Sequence, residues 1–191
     1  MLRVRAEACQ EGKLMLPVCF AAIAVIIPAF LCSLFSGFKR KPFHRRCRKQ
    51  ALQIYKKLHW FGKSSGGQII GYLRKINPFV FEELVLLCFK KSGCKIYRNS
   101  RYTGDGGFDG KVRFKGHIWL LQDKRYEGYV NKKHLKDFND LCFRKGVYGF
   151  FVHTGKTGGG ALKTESDYPF VRIISGKKLV SLIIDNMVIG L

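Results

Sequence analysis

Acidic residues are scarce in this chain of 191: 13 Asp and Glu stand against 35 Lys and Arg, for a formal charge of +22 at pH 7. A balance so basic selects a polyanion as partner, either nucleic acid or an anionic membrane surface. Paired cysteines are lacking too. The seven present (Cys9, Cys19, Cys32, Cys47, Cys88, Cys94 and Cys142) are odd in number and include no C-x-x-C, which excludes a disulfide framework and a zinc site and leaves buried free thiols. No internal repeat is visible, so a repeat array is excluded. A phosphate loop is also absent. The run from Thr154 to Gly160 is rich in glycine, but five residues separate Gly149 from Gly155 where a Walker motif needs four, and Phe150 to His153 read as strand.

Charge is missing altogether from Leu14 to Phe38, 25 mostly apolar positions. About 20 such residues cross a bilayer as a helix, and lipid-embedded helices tolerate prolines such as Pro17 and Pro28. The run is longer than a signal-peptide core and no small-x-small cleavage site follows, so a transmembrane helix is expected over 14–38 behind a short tail, 1–13. Lys39, Arg40, Lys41, Arg45, Arg46, Arg48 and Lys49 crowd its C-terminal flank, whereas Arg3, Arg5 and Lys13 share the other flank with Glu7 and Glu11. The positive-inside rule then predicts a single-pass protein of the cell inner membrane with everything after Lys39 in the cytoplasm. The basic cluster at 39–49 would be drawn to anionic lipid headgroups, so its charge does not argue for nucleic acid.

Between Lys39 and Lys75 lie twelve Lys and Arg and no acid, while from Asn77 onward the basic excess is only nine. This separates a basic juxtamembrane segment and linker, 39–76, from a domain at 77–191. Within the first, Ala51 to Phe61 carries Leu52, Tyr55, Leu58 and His59 at helical spacing beside Trp60, which predicts a short amphipathic helix at the membrane interface. Gly62 to Gly67 reads as a flexible linker. Within the second, Asn77-Pro78 opens a helix that runs to Lys91 with Phe81, Leu84, Val85 and Cys88 inward. Glu82 and Glu83 are expected in its first turn, where acids complement the helix dipole. Strands follow at Lys95 to Asn99, Asp109 to Phe114 and His117 to Asp123, then a helix from Asn131 to Lys145 and a strand from Val147 to His153. A short helix near Ala161 to Ser166, a strand from Phe170 to Ser175 and a helix from Lys177 to about Met187 complete the order. It describes an α/β fold, a central mixed sheet covered by helices.

The second and third strands are separated only by Lys115-Gly116, a two-residue turn signal. With that turn Phe114 faces His117, and counting back along both strands brings Asp109 opposite Gln122. Paired residues have Cβ atoms about 5 Å apart, and alternation puts Lys124 on the face of Asp109 and Gln122 while Asp123 points away. An acid, an amide and an amine at the end of a buried apolar strand need a reason.

Three motifs in order supply one. F-E-E-L-V at Phe81 to Val85, G-D-G-G-F-D at Gly104 to Asp109 and Q-D-K-R-Y at Gln122 to Tyr126 resemble the Mrr-like restriction endonuclease catalytic domain of the PD-(D/E)xK nuclease superfamily, over roughly Asn77 to Ile183. The resemblance implies a restriction-endonuclease-like sheet and hydrolysis of DNA phosphodiester bonds by a type IV restriction endonuclease-like enzyme using Mg²⁺, or Mn²⁺ in its place. It implies that Asp109 binds the metal, that Gln122 stands where the superfamily usually has an acid and offers its amide oxygen, and that Lys124 positions and polarises the attacking water. Glu82 would complete the metal site, with Asp105 and Arg125 as accessory residues. A homodimer would bring two sites to the two strands of a duplex.

Two other classes compete. One is a non-catalytic, membrane-tethered DNA-binding or scaffold protein that retains the nuclease fold; keeping Asp109, Gln122 and Lys124 together argues against it. The other is a membrane structural protein whose basic segment binds lipid only. At the site itself the competing reading is a salt-bridged surface hairpin, Asp109 with Lys124 and Asp105 with Arg125.

Overall fold

Residues 42–60, 66–99, 106–156 and 167–188 are described by the computed structural model. The tail at 1–13, the run at 14–38, the short helix near 161–166 and Asp105 lie outside the described residues. Among the described residues no helix is long and apolar enough to cross a membrane.

Helix α1 occupies 42–60, followed by α2 (Gly66–Leu73), α3 (Pro78–Lys91), β1 (Lys95–Arg98), β2 (Gly110–Phe114), β3 (His117–Lys124), α4 (Lys132–Arg144), β4 (Tyr148–His153), β5 (Val171–Ile174) and α5 (Gly176–Ile184). The strands form one sheet in the order β1-β2-β3-β4-β5, antiparallel across the first three and parallel across the last three. The mixed α/β architecture is therefore as expected. Local chemistry sets the element ends. Asn77 and Asn131 cap α3 and α4, each side-chain oxygen accepting a backbone N–H two residues on at 2.9 Å. Lys115 and Gly116 both have positive φ, 47° and 83°, so the β2–β3 turn is of the primed type that matches strand twist.

The sheet is covered on both faces. Val112, Trp119, Leu121, Phe150, Val152 and Ile174 pack with α1, α2, α3 and α5, whereas Leu120, Phe151, Val171 and Ile173 pack with α4. On that second face α4 approaches so closely at Gly149 that a Cβ there would lie 2.6 Å from Cys142 Sγ and from the Phe138 ring. Cys88, Cys94 and Cys142 are free thiols.

The structure differs from the sequence reading at the front of this unit. From Arg46 onward the described residues form one compact unit, and helix replaces the expected linker from Gly66. In α1 the stripe assigned to the membrane interface faces protein instead. Leu58 is buried, Tyr55 donates its hydroxyl to Asn186 at 2.9 Å, and only Leu52 and Trp60 stay exposed. Helix α3 is consequently buried on more than one side: Val80, Leu86 and Phe89 are covered as well as Phe81, Leu84, Val85 and Cys88.

Candidate active site

The primed turn fixes the pairing Phe114↔His117 through Gly110↔Leu121, and Asp109 lies one residue before that last pair. Two hydrogen bonds hold it there. Its backbone N–H donates to the Leu121 carbonyl, and its Oδ2 accepts the Asp123 backbone N–H, both at 2.7 Å. The carboxylate is thereby fastened to strand β3 before any ligand is considered.

Glu82 reaches the same place from α3. It is buried, and its carboxyl is pushed up to about 8, first by that burial, then by the Asp109 charge, with a smaller push from Glu83 and opposition from Lys124. Asp109 is raised by burial, against the Asp123 N–H and the Lys124 charge. These mutual effects place Glu82, Asp109 and Lys124 in one electrostatic cluster at the end of β3. Among the described residues no ion pair joins Asp109 to Lys124.

Gln122 precedes Asp123 on β3, with its side chain on the other face of the strand. Its Nε2 donates to the Gly107 carbonyl at 2.9 Å, and its Oε1 is buried with no hydrogen-bond partner. The amide is thus oriented by the glycine-rich turn, its oxygen left over. Lys124 pairs in register with His153 on the parallel neighbour β4. That histidine is fully buried and held neutral, its pKa lowered to about 4 by burial; the Gly155 backbone opposes this weakly without meeting hydrogen-bond geometry.

Three residues behave otherwise than the sequence suggested. Arg125 turns away from the acids: its guanidinium donates to the Arg74 carbonyl at 2.9 Å and to the Ile76 carbonyl, tying the end of α2 to the end of β3. Arg74 in turn donates to the Thr154 carbonyl at 2.7 Å, so the two arginines clasp this corner. Glu83 is not a helix-dipole acid, because α3 has no acid in its first turn. It is buried and paired with Arg98 at 2.7 Å and Arg48 at 3.9 Å.

Asp123 was overlooked. Strand alternation does turn it away from Gln122, but the α3 face holds Glu82. Asp123 is only 6% exposed, and neither carboxylate oxygen has a hydrogen-bond partner. Burial raises its pKa well above the carboxylate range, the Asp109 and Glu82 charges adding to this and Lys124 opposing. It also helps to raise the Cys88 thiol, behind the effect of burial. The signal available was an acid within a strand that is otherwise apolar on that face.

Three acids and one lysine would carry a net charge of −2 if all were ionised, and such crowding raises carboxyl pKa values. Among the described residues no three His, Cys, Asp or Glu side chains converge closely enough to hold a metal ion by themselves. Two carboxylates and the free Gln122 oxygen nonetheless suit Mg²⁺, which takes oxygen ligands, uses one or two carboxylates and keeps several waters.

A protein-family model described as restriction endonuclease matches residues 73–183, more than half of the chain. No curated protein and no solved structure matches it.

Proposed function

The chain belongs to the restriction endonuclease family, and on that premise we propose that it is a membrane-anchored endodeoxyribonuclease that uses Mg²⁺ to hydrolyse DNA phosphodiester bonds. The observation that carries this reading is the buried electrostatic cluster of Glu82, Asp109 and Lys124. Asp109, Glu82 and Gln122 would hold the ion. When bound, it supplies a Lewis acid at the phosphate and offsets the crowded carboxylates.

The chain's own groups do the rest. Asp109 is held in place by its bond to the Asp123 N–H, and Gln122 by its bond to Gly107, so neither must be ordered at the moment of reaction. Lys124 holds the attacking water and offsets the negative charge that grows on the phosphate as the water oxygen closes on phosphorus and the bond to the leaving sugar oxygen breaks. Its neighbour His153, neutral and buried, adds no competing charge.

Support for anchoring, with the nuclease domain on the cytoplasmic side, comes from the uncharged run at 14–38 and the basic flank at 39–49. Alkaline carbonate extraction tests this: the chain should stay with the membrane pellet, and release into the supernatant contradicts it. For the activity, the full-length chain should cut double-stranded DNA with Mg²⁺ or Mn²⁺, and Lys124→Ala should lower the rate at least a hundredfold while leaving DNA binding intact. Cleavage by Lys124→Ala at the wild-type rate would overturn the assignment.

A further inference from the structure

The Q-D-K motif puts Asp123 between two site residues, yet the reaction outlined above does not use its side chain. Its companions on the same face of β3, Trp119 and Leu121, are core residues. Its own two oxygens are buried without a partner, although its backbone N–H is bonded to Asp109 at 2.7 Å. A buried carboxyl with no hydrogen bond is costly, and an apolar residue would avoid that cost. The charges that act on it are those of Glu82 from α3, Asp109 just before β2 and Lys124 from its own strand, and it acts in turn on the Cys88 thiol of α3. Two carboxyls and one amine leave Asp123 with an excess of negative neighbours. A divalent cation is the partner that such surroundings suit.

Direct ligation by all three acids is not what the geometry offers, since no three of them converge on one point. Contact through the ion's retained water is, because Mg²⁺ gives up its waters reluctantly. We propose that Asp123 is a further carboxylate of the cation site, a positioning residue that acts on the bound ion from the α3 side through a coordinated water. The proposal rests on the nuclease reading of the same site. It makes the middle residue of the motif part of the metal's surroundings, and gives the chain a reason to keep an acid in its core.

The test is a calorimetric titration of the full-length chain with Mn²⁺ and with Mg²⁺, for wild type, Asp123→Asn and Asp123→Leu, alongside melting temperatures in EDTA. Outer groups of this kind typically govern metal affinity ten- to a hundredfold. Both variants should bind the ions at least tenfold more weakly, while their melting temperatures without metal equal or exceed wild type. Wild-type affinity in either folded variant overturns the proposal. So does a fall in melting temperature without metal for both, which would mark the carboxyl as a structural group. A wild-type chain that binds neither ion overturns this proposal and the metal-dependent reading together, whereas unchanged affinity in the variants of an ion-binding wild type overturns this one alone.

Discussion

Glu82→Gln offers a quantitative test of the crowded carboxyls. The folded chain holds the Glu82 proton up to about pH 8, whereas the unfolded chain releases it near the ordinary 4.5. Between those values the native state binds the extra proton, so metal-free stability falls as pH rises, by about 1.4 kcal/mol per unit, and levels off above 8. His153 works in the opposite sense lower down. With its pKa lowered from 6.5 to about 4, the unfolded state binds the extra proton between those values and stability rises with pH there. The clean window is therefore pH 6.5 to 8, where the Glu82 effect amounts to about 2 kcal/mol. Asp109 and Asp123, both raised, can only add to the fall. Urea unfolding in EDTA, followed by the fluorescence of the buried Trp119, measures it. The wild type should lose about 2 kcal/mol or more across the window, Glu82→Gln should lose less by that amount, and saturating Mg²⁺ should flatten the wild-type curve. A flat or rising wild-type curve in EDTA, or an equally steep one in Glu82→Gln, refutes the reasoning.

Other consequences follow from single contacts. Arg98→Met removes the 2.7 Å ion pair of the buried Glu83 carboxylate and should cost about 3 kcal/mol in urea unfolding; an unchanged midpoint would contradict it. Gly149→Ala drives a methyl group to 2.6 Å from Cys142 and Phe138 and should cost about 2 kcal/mol, with no loss if α4 shifts freely. Chelation by EDTA should abolish DNA cleavage and added Mg²⁺ or Mn²⁺ restore it, whereas persistent cutting in chelator would remove the metal from the mechanism.

Much of the hairpin was legible because its turn is governed by local rules. Two residues that accept positive φ fix a primed turn, and counting from it carries the register to Gly110 and Leu121, one residue short of Asp109. The helix cap at Asn77 was legible for the same reason. Partners brought together by tertiary packing were not. Periodicity finds the apolar stripe of α1 but cannot tell lipid from a protein core, so Tyr55 and Leu58 were misassigned. Glu83 finds Arg98 on β1, and Arg125 finds the carbonyls of Arg74 and Ile76, through the fold alone. Asp123 shows the limit most clearly: alternation gives the face it occupies, but not that α3 delivers Glu82 to that face.

The central claim, that the buried cluster at the end of β3 is a working nuclease site, is tested most directly by one comparison. Full-length wild type and Lys124→Ala are incubated with double-stranded DNA and Mg²⁺, with cleavage and DNA binding measured on the same samples. The account predicts cleavage by the wild type and, for Lys124→Ala, binding without cleavage. DNA binding by both with cleavage by neither, across DNA substrates and with either Mg²⁺ or Mn²⁺, would contradict it.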